Sequence, residues 1–200
     1  MRSTDVIERA RTVLADDRRA IAEAGDALGG GFVTAVEILL AAGGKTLVTG
    51  MGTSGAVAHR IAHLLSCGGT PAVYISAADG LHGGLGVVAE DDVLISISKG
   101  GESDELNRFT SLARERGASI VVMTAEPSSS LAALGDCVIE VRTPPDTDPG
   151  RMLAMGSAIA ASAVGDALAV VLMEQRGYAW ERFERSHPGG AVGKAIEGRG

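Results

Sequence analysis

Aromatic side chains make up only 3% of this 200-residue sequence: one Trp, two Tyr and three Phe. So sparse a set gives little support to a stacking platform for nucleic-acid bases. Positive charge is also short, with 18 Lys and Arg against 25 Asp and Glu, a formal net charge of −7. Phosphate backbones select basic faces, so nucleic acid is not an expected partner. The two cysteines, Cys67 and Cys137, lie far apart and outside any metal-ligand spacing. They predict reduced thiols in the cytoplasm and no disulfide framework. No uninterrupted apolar stretch reaches the length of a membrane span, and Met1-Arg2-Ser3-Thr4-Asp5 has no apolar signal region behind it. Neither a membrane nor export is expected.

What is present is a 46% hydrophobic content and 28 glycines, which suit helices packed closely on a sheet in one domain. Residues 3–24 read as a charged amphipathic helix with Val6, Ala10, Val13, Leu14 and Ile21 on one side. Gly29-Gly30-Gly31 breaks it before a second helix over 32–42. Short β-branched runs at 46–49, 72–75, 93–98, 120–124 and 138–141 then alternate with helical stretches near 54–66, 102–116 and 128–134. That alternation predicts a three-layer α/β/α fold with a five-stranded parallel sheet. The proline-rich segment 143–150 reads as an ordered loop or lid. A small-residue-rich helix over 152–176 follows, stopped by Gly177. The organisation expected is N-terminal helices over 1–42, an α/β core over 43–176 and a tail over 177–200.

Two strand-to-helix junctions carry the chemistry. Thr46-Leu47-Val48-Thr49 runs into Gly50-Met51-Gly52-Thr53-Ser54-Gly55, and Val93-Leu94-Ile95-Ser96-Ile97 into Ser98-Lys99-Gly100-Gly101-Glu102-Ser103-Asp104-Glu105. Glycines let backbone approach a bound group, Ser54, Ser98 and Ser103 offer hydroxyls, and each helix start offers unpaired N–H donors. The expected ligand is a small phosphorylated molecule at the carboxyl ends of the sheet. Its binding residues are Gly52, Thr53, Ser54, Ser98, Lys99, Gly100, Gly101, Glu102 and Ser103. Lys99 is a candidate for the cation on the phosphate. Glu105 sits in a first turn, where an acid also favours the helix dipole. His59 and His63 have the i, i+4 spacing of two zinc ligands, but no third ligand is evident nearby, so no metal is expected.

These turns, together with Gly165-Asp166-Ala167-Leu168-Ala169 and above all Ser186-His187-Pro188-Gly189-Gly190-Ala191-Val192-Gly193-Lys194, resemble the sugar isomerase (SIS) domain. The arabinose-5-phosphate isomerase branch is the most similar. The resemblance implies a phosphosugar isomerase that interconverts an aldose and a ketose through an enediol, without cofactor, as a dimer or tetramer with sites near subunit boundaries. It also implies an isomerase domain without the tandem CBS module that many members carry. Glu105, His187, His82 and Asp146 correspond to the family's acid–base positions. The chain departs from the pattern at Asp146, usually Glu, at Thr53, commonly Lys, and at Gly100, commonly Ser. These departures lead to the expectation that arabinose 5-phosphate is not the best substrate. Alternatives are a hexulose- or heptulose-phosphate isomerase, or a non-catalytic phosphosugar sensor.

The chemistry read from the residues agrees. Aldose–ketose interconversion needs a base between adjacent carbons, a partner that moves protons between the two oxygens, and a firm hold on the phosphate. Glu105, Asp146, His82 and His187 are the groups available for proton transfer.

Overall fold

The computed structural model of the chain describes residues 3–189. Helices α1 (Ser3–Asp26) and α2 (Gly30–Ala41) precede β1 (Thr46–Gly50), α3 (Thr53–Cys67) and β2 (Ala72–Tyr74). The short α4 (Ala77–Gly80) and a 3-10 turn lead to β3 (Val93–Ile97), followed by α5 (Asp104–Glu115) and β4 (Ser119–Thr124). A 3-10 turn at Ala132–Leu134 leads to β5 (Cys137–Glu140). After two more such turns, Pro145–Thr147 and Pro149–Arg151, come α6 (Gly156–Gln175) and α7 (Trp180–Ser186).

The five strands lie in the order β2-β1-β3-β4-β5 and every pairing is parallel. Such a sheet needs cover on both faces, and β1 and β3 are buried along their whole length. One face packs Val48, Ile95, Ile97, Val121 and Ile139 against helices α2, α3 and α6. The other packs Leu47, Leu94, Ile120 and Val122 against α5 and the α4 region. The expected α/β/α arrangement is therefore the one the chain adopts.

Several expectations change in detail. The stretch 128–134 is not a helix but the single 3-10 turn Ala132–Leu134. Ser129 Oγ accepts from the Ala132 N–H, and Gly135 ends the segment before a second α-turn can form. Gly30 and Gly31 belong to α2, so of the three glycines only Gly29 lies in the break, which spans residues 27–29. Helix α6 begins at Gly156 rather than near 152, because the backbone N–H groups of Met155 and Ser157 are captured by the Asp148 carboxylate. The stripe read along α1 is not its packed face. Ala20 and Ala24 are buried and the helix rests on α6, whereas Val6, Leu14 and Ile21 remain exposed.

Over Gly156–Gln175, α6 is long and apolar enough to cross a membrane by length and composition, with mean hydropathy 1.8. Asp166 interrupts the apolar sequence of this helix, so the runs on either side are each shorter than a membrane span, as expected from the sequence. Here it is a core helix: half of that stretch is buried, and a side chain added at Gly165 would collide with Ile61 of α3. Asp166 on its outer side takes the guanidinium of Arg60, with Arg60 Nη2 donating to Oδ2 at 3.0 Å.

Phe109 of α5 is fully buried in the second core layer. Its replacement by Ala is expected to cost about 3–5 kcal/mol of folding stability, since the rigid sheet cannot collapse into the void. Chemical denaturation that shows a loss under about 1 kcal/mol would mean this layer does not carry the fold.

Candidate active site

Strands β1 and β3 are paired in register, Gly50 beside Ile97. The two glycine-containing turns that follow therefore leave the sheet side by side. This is also where the chain order reverses, β2 lying on one side of β1 and β3 on the other, the place where open parallel sheets hold their ligands. The first turn is tight: a Cβ at Gly50 would lie 2.7 Å from the Ser54 carbonyl oxygen. Thr53 and Ser54 are the first residues of α3, and no side chain caps that helix. Its first N–H groups thus keep their donor capacity for an anion.

The second turn is locked internally. Gly101 has φ +69°, and a side chain there would strike Ser129. Its N–H donates to Ser98 Oγ at 3.0 Å. Its carbonyl accepts from Asn107 Nδ2 at 3.0 Å and from the Leu131 N–H at 3.0 Å. Ser98 accepts in this arrangement, so its own O–H is free to donate outward. Ser103 is the N-cap residue of α5 but makes no capping bond with its side chain, which leaves a second hydroxyl for a ligand. Glu102 turns away: it accepts from the Ser130 N–H at 2.8 Å, a bond that holds its carboxyl below the ordinary range. Gly100 has nothing within 4 Å of where a Cβ would stand, so a side chain is missing there without crowding as its cause.

Lys99, two residues after β3, lines a pocket with Thr53, Ser54 and Ser157, between the starts of α3 and α6. Its ammonium donates to Asp148 Oδ2 at 2.6 Å. The same carboxylate, 2% exposed, accepts from Ser157 Oγ at 2.6 Å and from the N–H groups of Met155 and Ser157 at 2.8 and 3.0 Å. Burial alone would raise its pKa. The bonds from Lys99, Ser157 and Met155 more than offset that and bring it down to about 2. Asp148 was not singled out in the sequence, because its partners lie 49 positions before it and 7 to 9 after it. No local spacing reveals them.

The four acid–base candidates are not gathered in one place. Glu105 is exposed in the first turn of α5, adjoining the second glycine turn. His82 is exposed after α4, its N–H bonded to the Asp79 carbonyl. Asp146 faces α1, where Arg19 Nη2 donates to its carboxylate at 2.9 Å and thereby holds it below the ordinary range. His187 stacks on Phe183 at 3.9 Å and sets Nε2 3.4 Å from the sulfur of Cys67. Cys67 is the last residue of α3 and Thr53 the first, so about 21 Å of helix separates His187 from the first glycine turn. Residues 190–194 of the tail motif lie outside the described residues.

His59 and His63 line one cleft but make separate contacts: His59 packs on Tyr74, with ring centroids 5.0 Å apart, and His63 Nε2 lies 3.6 Å from Cys67 Sγ. Among the described residues no group of three or more His, Cys, Asp or Glu is placed to hold a metal ion. A cleft of about 740 Å³ opens beside the first turn, lined by Gly50, Gly52, His59, Tyr74 and Ser76.

The model of the family described as SIS domain matches residues 39–171. Arabinose 5-phosphate isomerase KdsD of Pseudomonas aeruginosa is 34% identical over 192 residues, 96% of this chain and 59% of that protein. Arabinose 5-phosphate isomerase GutQ of Escherichia coli is 35% identical over 169 residues, 84% of this chain and 53% of that protein. The chain thus spans between half and two thirds of the length of these curated relatives. The solved structure of Escherichia coli CFT073 c3406 in complex with arabinose 5-phosphate superposes with a TM-score of 0.90 at 29% identity. It covers 94% of this chain, and all of that chain is covered.

Asp148 has a lower pKa folded than unfolded, so its stabilisation is full above about pH 4 and is lost as the pH falls through about 2. Asp148→Asn is expected to lose about 2 kcal/mol of stability at pH 7. Denaturation of both proteins as the pH falls from 4 towards 2 should show this gap closing. A gap that is constant with pH would mean that the carboxylate charge is not what holds the loop.

Proposed function

Because the chain belongs to the SIS-domain family, we propose that it interconverts an aldose phosphate and a ketose phosphate through an enediol. The observation that carries this reading is the pair of glycine turns leaving the sheet side by side at the switch point, with Ser54 at the uncapped start of α3 on one turn and Ser98 and Ser103 on the other. Such donors suit a phosphate monoester, and the Glu102 carboxylate on the second turn is engaged with the Ser130 N–H. The backbone N–H groups of Gly100 and Glu102, on either side of the Gly101 N–H that Ser98 holds, complete the phosphate cradle.

Glu105 adjoins this cradle and is the base. It takes the proton from the carbon next to the carbonyl and returns it to the neighbouring carbon, while a second group moves protons between the two oxygens. His82, Asp146 and His187 are the groups for that second transfer. Acid–base groups suffice for the reaction, and no cofactor is required by its chemistry. In a single copy His187 and Asp146 stand apart from Glu105, and α1 exposes Val6, Ile7 and Leu14. We infer a homo-oligomer, a dimer or tetramer, in which neighbouring copies bring these groups to one another's cradle. Unpaired Cys67 and Cys137 support a cytoplasmic setting. Burial first and then Asp136 push the Cys137 thiol up to about 11, leaving it inert.

The substrate is a pentose phosphate or a close relative. Its optimum differs from arabinose 5-phosphate, because the uncrowded space at Gly100 and the hydroxyl at Thr53 change what meets the sugar.

Glu105→Gln should retain ligand binding while lowering turnover on the order of 10²-fold or more, since an amide cannot accept the proton. Ser103→Ala should weaken binding of a sugar phosphate by about 1–2 kcal/mol, the worth of one hydrogen bond to a charged group. Steady-state kinetics and calorimetry separate the two. Wild-type turnover by Glu105→Gln would move the base elsewhere, first to Asp146.

A further inference from the structure

The pocket between the starts of α3 and α6 has one charged residue in its lining, Lys99. A lysine following a strand ordinarily has a mobile ammonium, and a mobile charge loses side-chain entropy when a ligand fixes it. Here both ends of the residue are fixed. The Lys99 carbonyl accepts from Thr124 Oγ1 at 3.1 Å and from the Ala125 N–H at 3.0 Å, which pins its backbone to the end of β4. Its Nζ donates to Asp148 at 2.6 Å. The side chain is nonetheless 42% exposed, and an ammonium has three donors, of which this bond uses one.

Asp148 is equipped to hold that charge without cancelling it. Its carboxylate is shared with Ser157 Oγ and with the N–H groups at the start of α6, where a twenty-residue helix presents the positive end of its dipole. Part of its negative charge is therefore spent on the helix, and Lys99 keeps attraction for a further anion. The same bonds fix the proline-rich loop, because Asp148 joins the 3-10 turns at Pro145–Thr147 and Pro149–Arg151.

We propose that Asp148 is a positioning residue that holds the Lys99 ammonium, already ordered, at the rim of the cradle as the fixed cation for a dianionic phosphate monoester. The inference rests on the phosphosugar reading above and adds to it the device that sets affinity for the phosphate end. A cation held in place raises affinity for substrate and transition state alike, so its loss appears in KM and in Kd while kcat is little changed.

The test measures binding of inorganic phosphate and of arabinose 5-phosphate by calorimetry, beside steady-state kinetics, for Lys99→Met, Lys99→Arg, Asp148→Asn and the double variant Lys99→Met/Asp148→Asn. Lys99→Met is expected to weaken both ligands about 10-fold or more and to flatten the salt dependence of binding, with kcat changed less than about 3-fold. Lys99→Arg should restore part of the loss, since the charge is kept. Asp148→Asn should weaken binding in the wild-type background and add nothing once Lys99 is Met, because its effect passes through Lys99. Equal losses from Asp148→Asn in both backgrounds would make Asp148 a purely structural residue and overturn the proposal. So would phosphate binding unaltered in Lys99→Met, with circular dichroism and thermal denaturation of each variant confirming that the protein assayed is folded. Lys99-dependent phosphate binding without sugar turnover would uphold this proposal and refute the isomerase reading. Turnover with binding indifferent to Lys99 would do the reverse.

Discussion

The site depends on one constraint, the parallel pairing of β1 with β3 in which Gly50 stands beside Ile97. Parallel strands must be joined by crossovers, and each crossover here starts at the same edge of the sheet. Ending the two central strands at the same level places the two turns next to each other and aims the start of α3 into the space between them. A one-residue slip would turn every side chain of β1 to the other face, burying Thr49 in the layer that now holds Val48. The packed cores on both faces forbid that slip, so the hydrophobic pattern of the strands fixes the geometry of the turns.

The second turn shows how much of its shape is internal. Ser98, Asn107 and Leu131 bind the backbone of Gly101 before any ligand arrives. Hydroxyls and N–H groups held this way need little reorganisation when charge is placed among them, which is the condition for electrostatic stabilisation to be effective. The loop after β5 is held by the same economy, through one buried carboxylate with four donors.

Much of this was legible from spacing. The five strands, the two junctions and the small-residue helix follow from β-branched runs, glycine clusters and helical periodicity, all local signals. What was not legible depends on partners distant in sequence. Asp148 reads as an ordinary turn acid until Lys99 and Ser157 are brought to it. The stripe on α1 was misread because the contact with α6 is made by Ala20 and Ala24, whose small size lets the helices approach, while larger apolar residues stay outside. The failed helix near 128–134 follows Pro127, which has no N–H to donate, and lies in a run of three serines of which Ser129 offers the backbone a competing bond. The positions of Asp146 beside Arg19 and of His187 beside Cys67 likewise have no local signature. They leave Glu105 as the one candidate that adjoins the glycine turns in a single copy, with the other three dispersed around it.

The central claim is that this cradle supports proton transfer between adjacent carbons of a bound sugar phosphate. It is tested most directly by incubating the protein with arabinose 5-phosphate in deuterium oxide and following the carbon-bound hydrogens by NMR. The account predicts deuterium appearing at the carbon next to the carbonyl, because a base such as Glu105 that removes the proton exchanges it with solvent while the enediol lasts. Because exchange needs only proton removal, it is expected even for a sugar that is not the preferred substrate. Tight binding of the sugar phosphate with no deuterium incorporated and no ketose formed would contradict the account and leave a binding protein in place of an isomerase.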